Sequence, residues 1–483
     1  SDTPRGSKPA RIARAAAALV AGLLVHGALA PMLAQIAAVL QIPVIAGLTV
    51  GLLAAGTVDA AAAGALAIAI GLARARPEQL ASAPADARAP LAVALVLGTA
   101  LVAGAVHRVA RRAHPRITAA LVAGAILIVT LDLWSTTFDL DATPLHGEIA
   151  GFTALAIVPP AGQPLADNEF YQRVLGLMQR GDGYYHAFRR AYRENPRWGT
   201  DPYSIAGYRL PTLFWFWRLL PGKPRSLVVA LLALCTLAMA ATARLAFARA
   251  PRALAVPAAA LLAAYFLLPC TTNGLLMMEP WAACVGLISV ACAAESHGPR
   301  GRTAWAAAAA ATALLATLVR ETMGFLLLAG LAASLRSPRL ERRARLALWG
   351  AALGGFGLAY AAHAFAVAGA ISRTGTLTSY LHGGLENLWL ALSYATDFMG
   401  GPGTALLCGA LAVAGGAAAR EPGLRAHLLV ALLAPTALLL VAGNRALLAS
   451  GARINYWGPI LVPLLVALAP LSAGALRPRP ARE

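Results

Sequence analysis

The segment GDGYYHAFRRAYRENP, residues 181–196, brings an acid, two tyrosines, a histidine and several arginines together. Asp182 lies between Gly181 and Gly183, which leave its carboxylate uncrowded and let the backbone turn sharply. A carboxylate placed in this way can accept a proton from an attacking hydroxyl or bind a divalent cation. Aspartate is also among the best helix N-caps, so capping of the following helix is the alternative role for Asp182, and the two roles are compatible.

His186 follows Asp182 by four residues, which places both side chains on one face if a helix begins there. In that position His186 could orient the carboxylate or contact a leaving phosphate, and the alternative is a solvated surface histidine. Tyr184 and Tyr185 lie between them and are candidate substrate-binding residues.

Arginines elsewhere in the chain are candidates for binding a phosphate. We select Arg209, Arg320 and Arg453, because a guanidinium group matches phosphate oxygens and keeps its charge at all physiological pH values. The alternative is that these arginines extend from helix ends towards ordinary lipid phosphates. Arg320 is favoured because it lies in a very short turn between two apolar runs. Tyr456, close to Arg453 in GARINYWGP, could stack on a sugar.

The composition indicates which kind of fold must position these residues. Hydrophobic residues make up 59% of the 483 residues and charged residues only 13%, about half of the charged fraction usual in a soluble domain. Long apolar runs recur along the chain, so the sequence predicts an all-α protein that crosses the membrane many times. The five cysteines show no metal-binding spacing, and we interpret them as small core residues.

The net charge of +19 follows from arginines in alternate connections between the apolar runs. This pattern is typical of the cytoplasmic loops of membrane proteins, and it excludes nucleic acid as the expected partner. Most acidic residues fall in the other set of connections, where we expect the chemistry. The apolar runs from residue 117 onward are 117–134, 225–246, 251–268, 275–294, 303–319, 321–336, 346–369, 402–419, 425–443 and 453–475.

The same pattern gives the expected organisation of the chain. Residues 1–116 should form about four membrane helices, which brings the total to about fourteen. Residues 117–475 form the core, and residues 476–483 are a basic cytoplasmic tail. The large external loop, 135–224, should carry amphipathic helices. The predicted elements on the external side are a helix at 168–180, a re-entrant or interfacial element at 208–222, and a second interfacial helix at 386–398. In the first of these, helical spacing places Phe170, Val174, Leu175 and Met178 on one face.

Three segments carry a resemblance to a known family. DGYYHAF, residues 182–188, follows a long external loop and leads into a helical stretch, which resembles the GT-C integral-membrane glycosyltransferases. It is most similar to the Asp-Gly-Tyr motif of bacterial oligosaccharyltransferase catalytic subunits. YRLPTLFWFWRLLPG, residues 208–222, resembles a segment of polyprenyl-phosphate-sugar transferases. ATLVRETMGFLLLAGLA, residues 316–332, is similar to the Arg-Glu helix start of bacterial members, and the resemblance covers residues 117–475.

This resemblance implies a GT-C-like bundle and a role for Asp182 as general base, or as metal ligand in the metal-using branch. Glu279 is the only acid in CTTNGLLMMEP, residues 270–280, where the oligosaccharyltransferase branch has a second acidic motif. A single acid there departs from that pattern, so we expect no metal cofactor, with a divalent cation as the alternative.

The expected function is transfer of a sugar from a polyprenyl-phosphate carrier to a glycan, lipid or protein acceptor, with inversion at the anomeric carbon. The resemblance implies a bacterial inner-membrane enzyme whose active site lies on the extracytoplasmic side. The alternative from another class is a polytopic lipid or solute transporter or flippase. A carrier would favour internal repeats and ionisable residues near mid-membrane, and no convincing repeat is present.

Overall fold

The computed structural model describes residues 167–195, 205–220, 224–249, 276–298, 303–371, 384–396, 402–441 and 458–474. Within these ranges the chain is helical and contains no strand, which confirms the all-α prediction for this part of the protein. The N-terminal helices predicted within residues 1–116 lie outside the described residues. Three of the described helices are long and apolar enough to cross a membrane, which indicates membrane association; they are Met278–Ser296, Arg339–Ala370 and Pro422–Val441.

Twelve α-helices occupy the described ranges, and short 3₁₀ turns connect or extend several of them. In chain order they are α1 Asp167–Gln179, α2 Tyr184–Glu194, α3 Thr212–Leu219, α4 Pro224–Arg249, α5 Met278–Ser296, α6 Thr303–Val319, α7 Phe325–Leu335, α8 Arg339–Val367, α9 Leu385–Thr396, α10 Pro402–Ala417, α11 Pro422–Val441 and α12 Gly458–Leu468.

Two helix boundaries differ from the sequence prediction for local reasons. The run predicted at 321–336 begins instead with a 3₁₀ turn, Glu321–Gly324, because Arg320 adopts an extended backbone that ends α6 and reverses the chain. Helix α8 begins at Arg339, within a basic segment that we predicted to be a loop. There Arg345 and Glu341 pair at 2.9 Å across one helical turn, a spacing that stabilises a helix.

Helix α5 is the centre of the bundle. Its most apolar 18-residue stretch is 89% buried, against 17% for the corresponding stretch of α8, which lies at the periphery. Helices α4 and α6 pack on α5, α7 packs on α8 and α11, and α10 packs on α12. The four cysteines in the described ranges are buried, as predicted.

Pairs of opposite charge lie at both ends of this bundle. At one end, the Nε of Arg244 on α4 lies 3.0 Å from Glu295 on α5, and Arg345 on α8 donates to the Ser296 carbonyl at 2.6 Å. At the other end, Glu279 begins α5 and Arg320 follows α6. The second end is the one that carries the candidate site.

A close approach between α10 and the 3₁₀ turn at Ala469–Gly474 requires a glycine. A Cβ on Gly415 would lie 2.5 Å from the backbone of Leu471 and of Ser472, so Gly415→Ala should destabilise the protein by roughly 1–3 kcal/mol through overpacking. Gly350→Ala on α8 is the matched control, because its Cβ would meet no atom within 4 Å. Thermal unfolding in detergent checks both variants, and equal midpoints would contradict the packing.

Candidate functional site

Helices α1 and α2 form a small aromatic core outside the long helices. The residues that we predicted to share one face of α1, namely Phe170, Val174, Leu175 and Met178, are all buried. Phe170 packs edge-on against Phe188 of α2, with ring centroids 4.9 Å apart. Gly181 has φ +106°, a conformation that L side chains rarely adopt, so it provides the sharp turn between the two helices.

Asp182 lies at the beginning of α2 but does not cap it. Gly183 occupies the N-cap position and Tyr184 is the first helical residue, so the capping alternative is wrong. The Asp182 side chain is 28% exposed, with Oδ1 3.5 Å from His186 Nδ1 and Oδ2 3.8 Å from Arg190 Nη1. His186 therefore lies on the same helical face as Asp182, as the spacing predicts, and its own side chain is 70% exposed.

Glu194, at the other end of α2, makes shorter contacts with its partners than Asp182 does. Glu194 accepts hydrogen bonds from Arg173 Nη2 at 2.7 Å and from Arg190 Nε at 2.8 Å. Partial burial of Glu194 opposes its ionisation, but these two hydrogen bonds outweigh that effect and hold the pKa of the carboxyl below its ordinary value.

This lowered pKa predicts how the stability of the α1–α2 pair depends on pH. The stabilisation is complete above the pKa of Glu194 in the unfolded chain and is lost as pH falls through the lower folded-state pKa. The difference in Tm between the wild type and Glu194→Gln should therefore be largest at neutral pH and should disappear at acidic pH. Differential scanning fluorimetry across pH measures it, and a difference that is constant over the whole range would contradict the prediction.

A buried charged cluster lies at the same end of the bundle. It consists of Glu279 on α5, Arg320 after α6 and Glu321 in the following 3₁₀ turn. Arg320 is 4% exposed, with its Nε 3.0 Å from Glu279 Oε1 and its Nη1 3.8 Å from Glu321 Oε2. The geometry at Nε is that of an ion pair and not of an aligned hydrogen bond, so this buried N–H has no hydrogen-bond acceptor among the described residues.

The segment 208–210 lies against this cluster. The Leu210 N–H donates to Glu321 Oε1 at 3.2 Å, and Arg209 Nε donates to the Tyr171 hydroxyl at 3.3 Å. Burial lowers the pKa of Arg209, but Tyr171 and Glu321 raise it more, so the net pKa lies above its ordinary value and the guanidinium stays charged. Arg209 therefore lies beside the cluster, close enough to Glu321 and Glu279 for their charges to interact.

Tyr184 connects α2 to the same segment. Its hydroxyl donates to the Arg209 carbonyl. Burial, and then the nearby Glu321 carboxylate, raise the pKa of Tyr184 well above its ordinary value, which keeps the phenol protonated as a donor. Tyr185, half-buried, has its hydroxyl 3.2 Å from Nδ1 of His363 on α8.

The structure thus divides the predicted site residues into two groups. The buried cluster contains Arg320 and Glu279. Beside it lie Arg209 and Tyr184, and Tyr185 is next to Tyr184 on α2. Asp182 and His186 lie just before and within the first turn of α2, on its more exposed face. The predicted residues Arg453 and Tyr456 lie outside the described residues.

Sequence reasoning did not assign Glu321, Tyr171 or His363 to the site. A histidine within an otherwise apolar helix is a signal that could have identified His363, because ionisable residues in such helices are costly. Tyr171 had no such signal, since it lies on a predicted amphipathic face. Among the described residues, no group of three or more His, Cys, Asp or Glu side chains could hold a metal ion. The expected absence of a metal cofactor stays a prediction.

Comparison with models of known protein families, with curated proteins and with solved structures gave no match. The described residues therefore define the class directly: a helical protein with three candidate membrane spans and a buried Arg–Glu cluster at one end of its bundle.

Proposed function

We propose that this protein is an integral-membrane glycosyltransferase of the GT-C type. It would take a sugar from a polyprenyl-phosphate carrier and join it to a hydroxyl of a glycan, lipid or protein on the extracytoplasmic side of a bacterial inner membrane. The observation that carries the proposal is that Arg209 lies beside the buried cluster that contains Arg320. A hydrogen bond from the Tyr184 hydroxyl to the Arg209 carbonyl joins this region to the start of α2, next to Asp182.

In this proposal Asp182 is the general base. It takes the proton of the acceptor hydroxyl while the hydroxyl oxygen attacks the anomeric carbon, and the bond between that carbon and the phosphate oxygen breaks. His186, 3.5 Å away, orients the carboxylate. Among the residues that the structure describes, the side chains paired with Asp182 are those of His186 and Arg190, and we propose that Asp182 acts as a base and not as a nucleophile. A direct displacement of this kind inverts the anomeric configuration.

The departing phosphate would be held by Arg320 and Arg209, together with Arg453. The buried Nε–H of Arg320 supports this role, because the part of the chain that the structure describes offers it no aligned acceptor and a phosphate oxygen would supply one. The negative charge that develops on the leaving phosphate is then met by fixed guanidinium groups. Catalysis would depend mainly on positioning and on charge stabilisation, and a metal ion is not required.

The proposal is tested with purified protein reconstituted in liposomes. Polyprenyl-phosphate carriers bearing radiolabelled sugars are supplied with a membrane extract as the source of acceptors, in the presence and absence of EDTA. We expect label to leave the carrier, free polyprenyl phosphate to accumulate, and EDTA to have no effect. Movement of intact carrier or free solute across the bilayer without cleavage of the sugar–phosphate bond would overturn the proposal in favour of a transporter.

A further inference from the structure

Helix α3 exposes more apolar surface than an eight-residue helix in water should. One face is buried, with Phe214 and Trp217 at 0% and 1% exposure. The other face presents Trp215, Phe216 and Leu219, exposed by 52%, 41% and 83%. A cluster of large apolar side chains of this kind usually marks a surface that contacts a partner.

The position of α3 in the fold indicates what that partner is. Trp281, in the first turn of the candidate span α5, packs edge-on against Phe216 with ring centroids 5.8 Å apart. The long apolar helix α4 begins at Pro224, shortly after Leu219 ends α3. Helix α3 is therefore level with the first turn of the candidate span α5.

We propose that α3 is docked in the phospholipid headgroup layer at the Glu279 end of the bundle. Tryptophan is enriched at this depth because its ring is apolar while its N–H remains hydrated. Arg218 is exposed beside Leu219, where its guanidinium can reach lipid phosphates. The apolar side chains reach the beginning of the acyl chains, and the arginine binds the phosphates of the headgroups. The phospholipid layer therefore accommodates both the apolar and the charged side chains of this face.

This docking has a consequence for the charged cluster, because Pro211 alone separates α3 from the segment 208–210. Leu210 donates to Glu321, and the Arg209 carbonyl accepts from Tyr184. Lipid that fixes α3 therefore also restrains the segment that lies over Glu321. The inference does not depend on glycosyl transfer and would hold for any activity at this site.

Site-directed spin labelling in phospholipid nanodiscs tests the docking. Labels at Leu219→Cys and Trp215→Cys should collide more with oxygen than with a water-soluble nickel chelate. Labels at His186→Cys on α2, where the native side chain is 70% exposed, and at Leu340→Cys in the basic first turn of α8, 98% exposed, should show the reverse. The same labelling of the unsubstituted chain measures the background signal from the native cysteines.

Two results would overturn the docking. One is nickel accessibility at Leu219→Cys equal to that at His186→Cys, which would place α3 in water. The other is protection from both oxygen and nickel, which would indicate a protein partner on this face.

Hydrogen exchange tests the link from α3 to the cluster. The double variant Trp215→Ser/Leu219→Ser should lose protection at the Leu210 amide in nanodiscs, while Leu340→Ser, which exchanges an exposed apolar side chain at the other end, should not. Unchanged protection of Leu210 in the double variant would overturn the coupling even if the labels report lipid. Equal loss of protection in Leu340→Ser would attribute the effect to global destabilisation and would also overturn it.

Discussion

Glu279→Gln is expected to lower the free energy of unfolding by about 3 kcal/mol, because it leaves the buried Arg320 guanidinium without its nearest counter-charge. We expect the lower end of the usual range for such a loss, since Glu321 remains 3.8 Å from Arg320 and offsets part of the charge. Detergent-solubilised protein, unfolded in a denaturant series, gives the comparison with the wild type.

The chain contains a matched control on the same helix. Glu295, at the other end of α5, also lies 3.0 Å from an arginine, Arg244, but these side chains are 29% and 61% exposed. Glu295→Gln should cost less than about 1 kcal/mol, because water solvates the arginine that remains. If the two variants were equally stable, burial would not set the strength of the Glu279–Arg320 pair, and the cluster as described would be wrong.

Asp182→Asn is expected to lower the rate of sugar transfer by a factor of about 10²–10⁴, the usual contribution of a positioned general base. Asparagine preserves the shape of the side chain but cannot accept the proton of the acceptor hydroxyl. Because Asp182 does not cap α2 and is partly exposed, the variant should unfold like the wild type and should bind the lipid-linked donor unchanged. Single-turnover transfer and donor binding are measured on the same preparation.

Glu194→Gln is the control for this experiment. Glu194 is a second partly exposed carboxylate of the α1–α2 pair and shares Arg190 with Asp182, so its loss perturbs the same charges without removing the proposed base. Transfer should persist in Glu194→Gln at neutral pH. Wild-type transfer in Asp182→Asn would reject the assignment of the base, and equal loss in both variants would assign the effect to the α2 surface as a whole.

The sequence was most informative where one local signal determined the structure. The helical spacing of Phe170, Val174, Leu175 and Met178 predicts α1 and its buried face, and both are confirmed. Continuous apolar runs predict the long helices, and the run at 303–319 coincides with α6. These features depend on nearby residues, so periodicity and hydropathy are sufficient to find them.

The arrangement of the site depended on contacts between distant parts of the chain. Arg209 and Glu321 are 112 positions apart in the printed sequence, and no local pattern indicates that they meet. Nor does the motif around Asp182 indicate that its side chain pairs with Arg190 as well as with His186 on α2. The turn direction at Gly181 and Gly183 decides this orientation, and it follows from the packing of α1 on α2.

The break between α6 and α7 bears on how the protein is assembled during synthesis. Backbone that leaves the helical conformation near hydrocarbon is tolerated only where other protein shields it. In this protein the segment 208–210 covers the non-helical turn, because the Leu210 N–H donates to the side chain of Glu321 in that turn. That segment precedes both helices in the chain, so the ribosome completes it before the hairpin emerges. Segment 208–210 is therefore already synthesised when the turn between α6 and α7 has to be covered.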